Sequence, residues 1–200
     1  MNVSRKELLK HVRRIVVKVG SSIITENGGI STNRIAMMTS DIASVISEGY
    51  QVVIVSSGAI SAGAGALNKK RENCTIPEKQ ALASVGQSIL INEYRKCFSW
   101  EGYEVGQILL TEDDVKHRRR FLNARNTFNT LLKMSIVPVV NENDTVVIKE
   151  IKFGDNDTLS AHVANIVEAD LLVLLSDVDG YYHDLSDNAP VAEIREITDD

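Results

Sequence analysis

Cysteine is scarce in this chain: Cys74 and Cys97 are too few and too irregularly placed for a disulfide framework or a zinc site. A reducing compartment fits that pair. Basic residues are outnumbered, 22 Lys and Arg against 27 Asp and Glu, and the net charge of -5 has the wrong sign for life on nucleic acid or an anionic membrane. The one basic cluster, Lys116-His117-Arg118-Arg119-Arg120, reads as a solvated loop leading into a helix. Long apolar runs are also missing. Near the N-terminus the longest is Ile15-Val16-Val17, broken by Lys18, so neither a signal-peptide core nor a membrane span is expected and the chain reads as cytoplasmic. Histidine spacing suggests no metal ligation and no Ser-His pair: His162 falls among helical apolar positions and His183 in a polar loop. There is no repeat, no low-complexity stretch and no separating linker, so residues 1–200 are expected to be one domain.

What is present is a regular alternation. Two hundred residues with 44% hydrophobic side chains suffice for one α/β core. Apolar runs of strand length alternate with amphipathic runs of helix length, the pattern of βαβ units and a mostly parallel sheet. Strands are expected at Arg13 to Val19, Gln51 to Ser56, Tyr103 to Leu110, Ile136 to Val140 and Leu171 to Leu175, with an alternating hairpin arm over Thr145 to Phe153. Helices are expected from Ser31 to Ser47, within Ser57 to Leu67, from Pro77 to about Trp100, from Phe121 to Met134 and from Asp157 to Glu168.

Open α/β sheets bind ligands beyond the carboxyl ends of their strands, so the residues following each strand matter most. After the first strand come Lys18-Val19-Gly20-Ser21-Ser22: a cation, a glycine that lets backbone approach a phosphate, and two hydroxyls. A lysine snorkelling from a strand end explains Lys18 equally well. After the second come Ser57-Gly58-Ala59, opening a helix whose free N–H groups suit an anion. Gly63 and Gly65, further on, suit close packing of that helix on the sheet. Neither a P-loop nor a Gly-x-Gly-x-x-Gly fingerprint is formed. After the fourth come Asn141-Glu142-Asn143-Asp144, and a second polar cluster, Gly154-Asp155-Asn156-Asp157, opens the last helix. Ser176-Asp177-Val178-Asp179-Gly180 after the fifth strand fits a turn.

A lysine, glycine-rich turns and several carboxylates without a histidine base suit phosphoryl transfer, in which catalysis is mostly positioning and charge neutralisation. A carboxylate acceptor, with a pKa of about 4.3, is already an anion at neutral pH and needs no base. An acyl phosphate is the product such a site suggests, with Asp144, Asp155 and Asp157 available to bind an ammonium, order the cation and help hold Mg²⁺.

Five strings in register, Val16 to Ser22, Val55 to Ile60, Phe121 to Arg125, Val140 to Asp144 and Gly154 to Asp157, resemble the glutamate 5-kinases of the amino acid kinase family. The resemblance spans nearly the whole chain. It implies a three-layer αβα sandwich, ATP-dependent phosphorylation of the side-chain carboxylate of L-glutamate, and the first step of proline biosynthesis. ATP, Mg²⁺, feedback inhibition by proline and a homo-oligomer are implied with it. By the same resemblance Lys18 neutralises the transferring phosphoryl group, Gly20 and Ser21 belong to the phosphate loop, and Ser57, Gly58 and Ala59 to the substrate loop. Asn141, Asp144 and Asn156 hold glutamate, Asp144 through its ammonium. Asp157 orders Lys18, Asp155 tunes the substrate or Mg²⁺ site, and Ser176 and Asp177 begin the nucleotide site.

The family's domain continues through a glycine-rich segment that supplies a second phosphate-binding lysine and much of the adenine pocket, and nothing from Tyr182 to Asp200 resembles it. The C-terminal part of the fold is therefore expected to be missing here, and a polypeptide ending at Asp200 is expected to bind ATP poorly. Sibling kinases of aspartate or N-acetylglutamate, a non-catalytic amino-acid-binding regulator of the same fold, and a dinucleotide-dependent oxidoreductase are the competing readings.

Overall fold

The structure is a computed structural model and describes residues 5–146, 156–182, 189–191 and 194. Its centre is a five-stranded sheet built from β1 (Arg14–Val19), β4 (Gln51–Ser56), β5 (Glu104–Leu110), β6 (Ile136–Glu142) and β7 (Leu171–Leu175). The strand order is β5-β6-β4-β1-β7 and every pairing is parallel. β4 registers with β6 only at Ile54 with Val139 and Val55 with Val140, beginning just past Pro138, which has no N–H to give to a ladder. A small antiparallel hairpin, β2 (Thr25–Glu26) and β3 (Gly29–Ile30), stands apart from the main sheet.

Successive side chains of a strand point to opposite faces, and the two cores follow that alternation. Val17, Val19, Val52, Ile54, Val137 and Val139 face α3 (Thr32–Ser47) and α5 (Ile76–Trp100). Val16, Val53, Val55 and Val140 face α7 (Arg118–Lys133) and α8 (Asn156–Val167), where Phe128, Leu159 and Ile166 are fully buried. Helices thus cover both faces of one parallel sheet, the αβα arrangement expected from the alternation of segments. The remaining helices are short: α1 (Arg5–Leu9), α2 (Ser21–Ile24), α4 (Ala59–Ala66), a 3₁₀ turn over Arg71–Asn73, and α6 (Glu112–Lys116).

Three expectations need correction. The basic cluster is helical rather than a loop, since Lys116 ends α6 and Arg118 to Arg120 open α7. Positive charge at a helix N-terminus is unfavourable. It is offset by the acidic first turn of α6, where Glu112 pairs with Lys116 and Asp114 lies 3.3 Å from the Arg120 guanidinium. Asp114 also accepts from the Thr111 N–H and hydroxyl in a capping box. Secondly, β6 runs on to Glu142, so Asn141 and Glu142 are buried strand residues and not loop residues. Thirdly, Gly63 meets α5 and not the sheet: a Cβ there would lie 2.0 Å from the Leu82 carbonyl oxygen. The expected hairpin arm over Thr145 to Phe153 falls outside the described residues from position 147 onward.

Candidate active site

Lys18 lies on β1 with β4 on one side and β7 on the other, opposite Val55 and Leu174. Its side chain is 11% exposed, and its Nζ lies 2.6 Å from Asp157 Oδ1. A lysine withdrawn that far from water needs a counter-charge, so it is paired and not snorkelling. Gly20 follows at the strand end. Its N–H donates to the Leu175 carbonyl at 3.1 Å, and a Cβ on it would sit 3.2 Å from that oxygen and 3.8 Å from Lys18 Nζ.

On the other side of Lys18, the carboxyl ends of β4 and β6 bound a small polar cavity of about 220 Å³. Its lining includes Ser21, Ser57, Gly58, Asn141, Asp144 and Asn156, with Ala59 at the start of α4. Gly58 has φ of +102°, in the left-handed region that glycine tolerates, and a Cβ would also press on Ile24 at 3.1 Å. This turn aims the first N–H groups of α4 at the cavity, where no preceding helical carbonyl can take them. Ser57 is held against β1 by its N–H, which donates to the Val19 carbonyl at 3.0 Å.

Asn156 joins the two strand ends. Its Nδ2 donates to Ser57 Oγ at 2.7 Å and to the Ser56 carbonyl at 3.0 Å, and reaches Asn141 Oδ1 at 3.3 Å. Asn141 Oδ1 also accepts from the Glu142 N–H at 2.8 Å. Consecutive residues therefore serve two sides: Asn156 lines the cavity while Asp157 holds Lys18. Among the described residues no buried side-chain nitrogen or oxygen lacks a partner, so the polar cluster is a satisfied and rigid one.

Nine of the residues singled out in the sequence thus gather around one cavity and its adjoining ion pair, with Gly20 beside Lys18. Ser176 and Asp177 do not join the cavity; both are exposed just past β7, near the Gly20 end of β1. Asp155 lies outside the described residues. Sequence reading placed Glu142, 5% exposed, and Ile60 in its strings but gave them no role, and it missed Arg71 and Ser61; all four line the cavity. It also missed Gln87, whose amide donates to the Glu142 carbonyl at 3.2 Å. The available signal for Gln87 was a polar residue on the buried stripe of α5, between Ala83 and Leu90. A larger groove of about 580 Å³ beside β1, β7 and α3 is lined mostly by aliphatic side chains such as Ile15, Val17 and Val173. It offers little to orient a charged metabolite.

The sequence model of the amino acid kinase family matches residues 13–200. The chain belongs to the amino acid kinase family. Among curated relatives, glutamate 5-kinase of Syntrophotalea carbinolica is 51% identical over 200 residues, covering 98% of this chain and 54% of the relative. Glutamate 5-kinase of Citrifermentans bemidjiense is 54% identical over 179 residues, covering 89% of this chain and 48% of the relative. That of Clostridium acetobutylicum is 51% identical, covering 90% and 67%. The chain spans about half the length of the first two. Among solved structures, the UMP kinase of Ureaplasma parvum superposes with a TM-score of 0.57 at 17% identity, over 86% of this chain and 73% of that one. At that identity the likeness concerns the fold alone, and it supports an amino acid kinase fold for the αβα layers described above.

Proposed function

We propose that this chain carries the acceptor-binding part of a glutamate 5-kinase, which transfers the γ-phosphoryl group of ATP to the side-chain carboxylate of L-glutamate and so makes L-glutamyl 5-phosphate for proline biosynthesis. The observation that carries this reading is the adjacency of Asn156 and Asp157, one facing a metabolite-sized polar cavity and the other 2.6 Å from a nearly buried lysine. The names of the relatives, at about half identity, support glutamate as the acceptor.

In this reading Asp144 receives the substrate ammonium, while Asn141, Asn156, Ser57, Gly58 and Ala59 hold and orient the rest of the amino acid. The acceptor oxygen is an anion at neutral pH, so no general base is required. Lys18, held in place by Asp157, neutralises charge that grows on the transferring group. Gly20, Ser21, Ser176 and Asp177 border the nucleotide's side. Among the described residues no group of three or more metal-ligating side chains occurs. Mg²⁺ takes few protein carboxylates beside phosphate oxygens, so this donor set fits an ion brought by the nucleotide, with Asp155 the carboxylate proposed to meet it. When bound, the ion supplies charge neutralisation at the phosphates. Residues 1–200 are read as belonging to one kinase domain that works in the cytoplasm as a homo-oligomer and is inhibited by proline. No described helix is long and apolar enough to cross a membrane.

The test is L-glutamate-dependent ADP release by the intact protein, with hydroxylamine trapping the acyl phosphate as a hydroxamate. Asp144→Asn is expected to raise KM for glutamate by about ten- to a hundredfold, the worth of one charged hydrogen bond, and KM for ATP by far less. Glutamate binding without ADP release would favour the non-catalytic regulator, and equal losses for both substrates would remove the ammonium contact.

A further inference from the structure

Gln87 and Tyr94 are the buried polar side chains of α5, 7% and 0% exposed, and seven residues put them about two turns apart on one stripe. Each reaches a different strand end. The Tyr94 hydroxyl lies 2.9 Å from Ser56 Oγ, and the Ser56 hydroxyl lies 3.0 Å from the Ser57 carbonyl. A carbonyl only accepts, so the single Ser56 proton goes there and Tyr94 must be the donor to Ser56. Burial pushes the Tyr94 hydroxyl far above its ordinary range, so it keeps that proton throughout the working pH range. Gln87 Nε2 donates to the Glu142 carbonyl at 3.2 Å. Ser57, just past the end of β4, and Glu142, the last residue of β6, both line the polar cavity.

A phenylalanine at 94 and a leucine at 87 would fill the same stripe without the cost of desolvating a hydroxyl and an amide. What the polar groups add is a fixed distance between the helix and each strand end. We propose that Gln87 and Tyr94 are positioning residues, which hold the two strand ends that line the amino acid pocket in place against α5 and thereby set its affinity for the acceptor. The identity of that acceptor rests on the glutamate kinase reading; the mechanical role does not.

The experiment compares Tyr94→Phe and Gln87→Leu with Phe128→Leu, a core change on the opposite face of the sheet, in the intact protein. Phe128 is fully buried in the core that includes α8 and is not among the residues that line the cavity. The positioning variants are expected to raise KM for L-glutamate about three- to tenfold, the scale of one lost hydrogen bond, with KM for ATP within about twofold and kcat less affected. Hydrogen exchange of the ligand-free protein is expected to speed up at Gly58–Ser61 in Tyr94→Phe and at Asn141–Asn143 in Gln87→Leu, and at neither in Phe128→Leu. Lower melting temperatures with unchanged glutamate KM and unchanged exchange at those segments would overturn the proposal. If the wild type neither binds nor phosphorylates L-glutamate, the functional reading fails, and the exchange comparison alone decides the positioning role.

Discussion

Lys18 combines two properties that rarely occur together by accident: it is charged, and it is 11% exposed on the strand between β4 and β7. The cost of withdrawing the ammonium from water is offset by Asp157, itself half exposed at 49%. In the proposed reaction the lysine contributes most where negative charge is still growing, so its loss should appear in turnover and not in acceptor affinity. Lys18→Ala is expected to lower kcat by about a hundred- to a thousandfold, as removal of one preorganised electrostatic group does, with KM for glutamate changed by less than about threefold. Steady-state kinetics with glutamate and ATP varied separately checks this. A kcat within tenfold of wild type would remove the lysine from the chemistry.

At the level of elements, α4 and α5 approach so closely that glycine is required at their crossing. A Cβ on Gly86 would lie 1.7 Å from the Ala59 carbonyl oxygen and 2.6 Å from the Gly63 nitrogen, and one on Gly63 would meet Leu82 backbone at 2.0 Å. These neighbours are main chain and cannot swing aside. Gly86→Ala is therefore expected to destabilise by at least about 3 kcal/mol, the upper end of overpacking costs, despite alanine's better helix propensity. Denaturant unfolding measures it, and a variant as stable as wild type would show that the helices separate easily. The same crossing explains what the sequence disclosed and what it hid. The five main strands were legible because fully buried parallel strands read as aliphatic runs, and β4 and β7 matched to the residue. The ion pair and the cavity were reachable as polar strings at strand ends. Hidden were α2, α6 and the β2–β3 hairpin, which are too short to show a period, and the Gln87 and Tyr94 contacts, which depend on how a 25-residue helix crosses the sheet.

For the molecule as a whole, β7 is one of the two outer strands of the sheet among the described residues and brings Ser176 and Asp177 next to β1, and its start is tied down by one carboxylate. Asp170 Oδ2 accepts from the N–H groups of both Arg13 and Arg14 at 2.8 Å, clamping the entry of β7 to the entry of β1. The backbone bonds from Arg14 and then Arg13 hold the Asp170 carboxyl below its ordinary range. Folding therefore favours the ionised form, and the stabilisation is complete above the unfolded pKa of about 3.9 and fades as pH falls through the lower folded value. The group is exposed, so solvent screening limits its worth to about 1 kcal/mol, or about 2–4 °C of melting temperature for a chain of this size. Asp170→Asn is expected to melt below wild type by that amount at pH 7, with the gap constant down to about pH 5 and closing below about pH 4. Thermal unfolding across that range, read by circular dichroism, decides it: a gap that persists unchanged at pH 3 would show that the asparagine variant loses shape complementarity and not charge.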